Sequence, residues 1–123
     1  MSKYGEARVL DVDEIEAITE IPKHRDCVGY GLLPQDTGVS FSFGLTEMRP
    51  GGEAEPDAHE GREHCFFILS GVGLAKVNGK EFTLKSNQCL WIPPGAEHDL
   101  KPVGHQTLRF LVITFPAFWE NVE

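Results

Sequence analysis

A chain of 123 residues has room for a single domain. Its thirteen Gly and eight Pro argue against a bundle of long helices and for many short strands joined by turns. Eleven Lys and Arg against nineteen Asp and Glu give a net charge of −8 with no basic cluster, which excludes nucleic acid and anionic membrane as natural partners. The opening MSKYGEARVLDVDE has no apolar segment of the kind a signal peptide carries, and no apolar run is long enough to span a bilayer. Cys27, Cys65 and Cys89 are odd in number and lack CxxC spacing, so a disulfide scaffold is not expected and a reducing cytoplasm is the expected location.

In chain order, residues 1–20 hold a weak helical signal: Asp11 or Asp13 is placed to cap a turn running through Ile15 and Ile18. Residues 27–33 read as a strand, ended by Pro34 and the turn QDTG. Residues 39–48 (VSFSFGLTEM) read as a second strand, with Phe41, Phe43, Leu45 and Glu47 on one face and Ser40, Ser42, Gly44, Thr46 and Met48 on the other. RPGG is expected to turn the chain into the polar stretch EAEPDAHEGREH. CFFILSG, apolar on both faces, reads as a fully buried strand. LAKVNGKEFTL is a hairpin around Asn78-Gly79. Residues 89–92 form a short strand stopped by Pro93-Pro94-Gly95, and residues 107–115 (TLRFLVITF) a long buried one closed by Pro116. Seven or more short strands at this spacing predict an all-β sandwich or barrel.

Three of the five histidines stand beside turn-bounded strands with acidic neighbours. Asp57, His59 and His64 lie close together, and His98 follows the Pro-Pro-Gly turn far downstream. A metal site is built in this way, from neighbouring positions on one strand plus a ligand delivered by another. Residues 57 and 59 share a face of an extended strand, and a loop would let residue 64 return to it. His24 and His105 fall in polar loops and read as surface residues. Cys65 and Cys89 read as small buried hydrophobes, and Phe41, Phe43, Phe66, Trp91, Phe110 and Phe115 as core.

The stretch Gly51-x5-Asp57-x-His59-x4-His64-x6-Gly71 resembles the first cupin motif, G-x5-H-x-H-x3,4-E-x6-G. The stretch Asn87-x5-Pro93-x-Gly95-x2-His98 resembles the second, G-x5-P-x-G-x2-H-x3-N. The resemblance spans roughly residues 40–115. It implies a double-stranded β-helix, or jelly-roll, barrel with a metal inside, often in a homodimer. Carried over position by position, the ligands become Asp57, His59, His64 and His98. Asp57 stands where the family has its first His, and His64 where it has Glu. The closing Asn of the second motif is replaced by Pro102. Asp is shorter than His, so a three-histidine site completed by water is the alternative ligand set. Counting back from Gly71 selects His64, whereas counting forward from His59 with the shorter spacer selects Glu63. Adjacent strand residues face opposite ways, and the distance to the turn glycine favours His64.

The expected layout is an N-terminal arm over residues 1–38, a cupin barrel over 39–116 and a C-terminal tail over 117–123. The resemblance implies a divalent transition metal (Zn, Mn, Fe or Ni) and isomerase, lyase, decarboxylase or dioxygenase chemistry on a small polar or carboxylated molecule. The alternative is a non-catalytic module that binds a small ligand or sugar, with a structural metal or none. Glu47, Glu53, Glu63, Glu97 and Tyr30 are the candidate proton carriers, none of them fixed by spacing.

Overall fold

The computed structural model describes residues 6–33 and 38–119. A single 3₁₀ turn, Val12–Glu14, is capped by Asp11, whose Oδ1 accepts from the Asp13 N–H at 2.9 Å, as the N-terminal signal predicts. Eight strands follow: β1 (His24–Gly31), β2 (Ser42–Asp57), β3 (Glu63–Ser70), β4 (Gly73–Val77), β5 (Lys80–Leu84), β6 (Cys89–Ile92), β7 (His98–Pro102) and β8 (Leu108–Phe115). The turn expected after residue 33 falls largely on residues 34–37, outside the described ones.

All pairings are antiparallel, in the order β5-β4-β7-β2-β8-β3-β6, with β1 on the other flank of β2. The long β2 serves both halves of the barrel. Its first part, Ser42 to Met48, pairs with β8, and its last part, from Ala54 to Asp57, pairs with β7. One sheet is therefore β1-β2-β8-β3-β6 and the facing one β2-β7-β4-β5. Between them pack Met48, Phe66, Ile68, Leu90, Ile92, Leu108 and Phe110 from the first sheet and Ala75, Leu84 and Leu100 from the second. This is an all-β jelly-roll barrel, as the spacing of turns and apolar segments predicts. The Asn78-Gly79 hairpin joins β4 and β5 in the expected register, Val77 opposite Lys80.

Four local expectations are corrected. RPGG does not turn the chain: it is a large bulge within β2, where the four residues between Met48 and Glu53 stand against the one residue, Asp26, between Arg25 and Cys27. A Cβ on Gly52 would lie 2.7 Å from the Arg25 carbonyl oxygen and 2.9 Å from those of Arg49 and Asp26, so backbone fills the space a side chain would need. Neither β3 nor β8 is buried on both faces. His64, Phe66 and Ile68 point inward and alternate with half-exposed Cys65 and Phe67, while Ile113 and Phe115 of β8 are exposed. Cys89 is exposed and Cys65 half-buried; only Cys27 of the three thiols is buried. These residues are apolar but lie on the outside of the first sheet, together with exposed Trp91. Phe41 is likewise exposed. The outside of the second sheet is different. There Lys76 faces Asp99 and Glu81 across the strands, a charged and solvated surface.

Candidate metal centre

Three histidines converge at one end of the barrel. His59 sits in the loop after β2, His64 is the second residue of β3, and His98 opens β7. One ligand nitrogen from each lies within 4.8 Å of the other two. Their ring centroids are 4.9, 5.4 and 5.5 Å apart. His64 is buried and the other two half-buried.

Local structure fixes each ring. The His59 carbonyl accepts from the Gly95 N–H at 3.1 Å and the Arg62 N–H at 3.2 Å, which ties its loop to the Pro-Pro-Gly turn. Gly95 has φ 77°, and a Cβ there would meet the Glu60 carboxylate at 2.9 Å. The turn glycine of the second motif thus holds the loop that carries the first-motif histidine. His98 Nδ1 donates to the Ala96 carbonyl at 2.9 Å, leaving Nε2 with a free lone pair. His64 Nδ1 lies 3.0 Å from Thr114 Oγ1. With Nδ1 donating, His64 Nε2 is a buried acceptor without a hydrogen-bond partner among the described residues. An orphaned imidazole nitrogen aimed at two further imidazoles is unfavourable by itself and is what a transition metal satisfies, so these residues fit such an ion.

Burial favours the neutral form of His64 and His59. Burial pushes the His64 pKa down to about 4, helped by the nearby His59, His98 and Arg62 charges. His59 is lowered too, by burial first, with the Asp57 carboxylate opposing. Neutral imidazole is the form that binds metal.

Asp57 is paired in register with His98, and its Oδ2 lies 3.7 Å from His59 Nε2. Its Oδ1 accepts from the Ala58 N–H at 2.9 Å and from Lys23 Nζ at 3.4 Å. Burial is the largest single influence and opposes ionisation, but the bonds to Ala58 and Lys23 and the charges of His59 and Lys23 together outweigh it, so the carboxyl is held below its ordinary value. It flanks the three histidines and does not join their group of close nitrogens. Glu63 faces outward and accepts from Trp91 Nε1 at 3.0 Å, so β3 offers His64 to the interior.

The remaining carboxylates lie elsewhere. Glu47 pairs with Arg109 at 3.0 Å and Glu53 with Arg25 at 3.3 Å, while Glu97 is exposed. None joins the histidine group. His24 and His105 are exposed, as expected, although His24 opens β1 rather than lying in a loop. Sequence reasoning missed Thr114. Its signal is a hydroxyl on the inward parity of an apolar strand, level with Phe110. It also missed Arg62, whose guanidinium donates to the Ala117 and Phe118 carbonyls at 3.4 and 3.2 Å and fastens the C-terminal segment beside the site.

Comparison with known proteins agrees with this fold. The family model described as a cupin domain matches residues 44–114. Mannose-1-phosphate guanylyltransferase of Klebsiella pneumoniae is 40% identical over 73 residues, 59% of this chain but only 16% of that protein. The oxalate-binding protein of Thermotoga maritima is 28% identical over 71 residues, 58% of this chain and 59% of its own. The fold is shared with the crystal structure of a predicted oxalate decarboxylase from Thermotoga maritima, with TM-score 0.79 at 24% identity, covering 89% of this chain and 99% of the other. Two histidine-bearing motifs in order, a jelly-roll barrel and a matching family model lead to one statement: the chain belongs to the cupin domain family.

Proposed function

We propose that this cupin holds one divalent transition metal on His59, His64 and His98 and acts as a metal-dependent enzyme, of isomerase, lyase or dioxygenase type, on a small polar or carboxylated molecule. The observation that carries the reading is the buried, partnerless Nε2 of His64 facing two other imidazoles. Three protein ligands leave coordination positions open, the arrangement of catalytic rather than closed structural sites. When bound, such an ion supplies Lewis acidity toward a substrate oxygen. The Ala96 carbonyl holds the tautomer of His98, and Thr114 holds the ring orientation of His64. Phe66 packs near both rings, with centroids at 6.3 and 6.1 Å, and keeps water from that side. Asp57 orients His59 and, with Lys23, sets the charge at the rim. Two of the relatives, an oxalate-binding protein and a mannose-1-phosphate guanylyltransferase, support a small oxygen-rich ligand.

One observation favours a second reading. None of the four proposed carboxylates joins the histidine group, and Tyr30 lines the outer face, so a module that binds a ligand at the metal without turnover accounts for the same geometry. Metal analysis of protein purified without chelator tests the shared part. About one metal per chain is expected, falling to background in His98→Ala. A wild-type content below ~0.2 per chain with no uptake on addition would sink both readings. Turnover of small carboxylates by the loaded protein then separates enzyme from binder.

We further propose a homodimer through one end of the outer face of the first sheet, the end opposite Arg109 and Ser70, where Trp91 is 55%, Phe115 49% and Ile113 38% exposed. Trp91→Asp should convert a two-chain mass in light scattering to one chain. A wild-type mass of one chain at micromolar concentration overturns the dimer. The free thiols are consistent with a reducing cytoplasm.

A further inference from the structure

The outside of the first sheet also carries a concavity of about 560 Å³, remote from the inward-facing histidines. Its floor is a row across four strands: Val28 of β1 opposite Glu47 of β2, Glu47 opposite Arg109 of β8, and Arg109 opposite Ser70 of β3. Arg49 and the residues around His105 form the rim, and Tyr30 a side wall. The volume lies in the range of sites for small organic molecules.

The charge of this groove runs against that of the chain. Two guanidinium groups face one carboxylate, so the lining is net positive in a protein of net charge −8. Arg109 donates from Nε to Glu47 Oε2 at 3.0 Å. That bond fixes the plane of its guanidinium, and its terminal amines have no hydrogen-bond partner among the described residues. Arg49 is exposed, and no carboxylate among the described residues pairs with it. Hydroxyls of Ser70, Thr107 and Tyr30 border the same space. A planar fork held in place, a second arginine and several hydroxyls form a donor set for an anion with three or more oxygens. Val28 and the Tyr30 ring add apolar surface, and the space exceeds the size of one oxyanion.

We propose that this groove is a second binding site, independent of the histidine centre, for a small organic phosphate. The phosphate lies between Arg109 and Arg49, and its organic group lies against Val28 and Tyr30.

Calorimetric titration of the full chain at fixed ionic strength tests this, with phenyl phosphate, inorganic phosphate and benzoate as probes. Phenyl phosphate should bind saturably at one per chain, more tightly than inorganic phosphate and at least about tenfold more tightly than benzoate. Arg49→Ala, an exposed change, should weaken binding by tenfold or more, and Arg49→Lys should restore it in part. Arg109→Gln should act alike, with circular dichroism confirming the fold. His98→Ala should bind phenyl phosphate as wild type does. Absence of saturable binding, indifference to Arg49→Ala, equal affinity for benzoate, or loss of binding in His98→Ala would each overturn the proposal. Because His98→Ala empties the histidine centre, failure there and failure here are separate results.

Discussion

His64 Nδ1 and Thr114 Oγ1 lie 3.0 Å apart at directly paired positions of β3 and β8, and this bond turns the other nitrogen of His64 into the barrel. Thr114→Val keeps the volume and removes the hydroxyl. Metal affinity, measured by competition with a chromophoric chelator, should fall by about 10- to 100-fold, the usual effect of losing an outer hydrogen bond to a ligand histidine. Stability without metal should fall by only about 1 kcal/mol. An unchanged affinity would mean that packing alone orients the ring.

Gly95 and Glu60 offer a second test. Gly95→Ala puts a methyl where the Glu60 carboxylate now lies and asks an L-residue to hold φ 77°. The backbone part should cost roughly 1 kcal/mol. The exposed Glu60 side chain can swing aside, so the steric part should cost little. Metal affinity should fall only as far as the strained turn disturbs the Gly95 N–H bond to the His59 carbonyl, and adding Glu60→Ala should change it little. An affinity unchanged in Gly95→Ala would show that the turn does not position His59.

The depressed pKa of His64 has a consequence for the metal-free protein. The unfolded chain takes up a proton near pH 6.5, whereas folded His64 resists it until about pH 4. In that window the unfolded state binds more protons, so stability rises with pH and falls on acidification. His59 shifts in the same direction. Asp57 is lowered instead, so its contribution is lost only at still lower pH. Urea midpoints of chelated protein should therefore drop steadily from pH 6.5 toward 4, and less steeply in His64→Leu. Parallel profiles for the two proteins would remove His64 as the cause.

The three thiols should separate by rate. Burial raises the Cys27 pKa to about 11, so its thiolate is scarce as well as hidden. Cys89 is exposed and Cys65 half-buried beside it, with partial burial and then Cys89 raising the Cys65 pKa. A thiol-reactive dye should label Cys89 first, Cys65 more slowly, and Cys27 only after unfolding. Rapid labelling of Cys27 in the native protein would contradict its place in the core.

How much of this was written in the chain follows from how local each signal is. His59, His64 and His98 were legible because glycines and prolines set their spacing, and Gly95 proves to bind the His59 carbonyl directly. Thr114 was not legible, because its partner lies fifty residues away and only the β3–β8 register makes them neighbours. RPGG read as a turn because turns and bulges use the same residues, and the neighbouring β1 decides between them. Cys89 and Trp91 read as core because apolar character does not say which face of a strand meets solvent. The small parity signal on β3, apolar on both sides, needed the outward Glu63–Trp91 bond to resolve it.

The way β2 runs through both halves of the barrel bears on how the protein folds. His59 and His64 are near in sequence, but His98 joins them only when β7 docks on β2 beside Asp57. Closing that long loop is the costly step, so a complete set of ligands exists only after the barrel has shut. On the proposed reading, metal capture then follows closure and does not seed it. Added metal should leave the refolding rate unchanged and slow unfolding, so the ion acts as a latch on a finished barrel rather than as its nucleus.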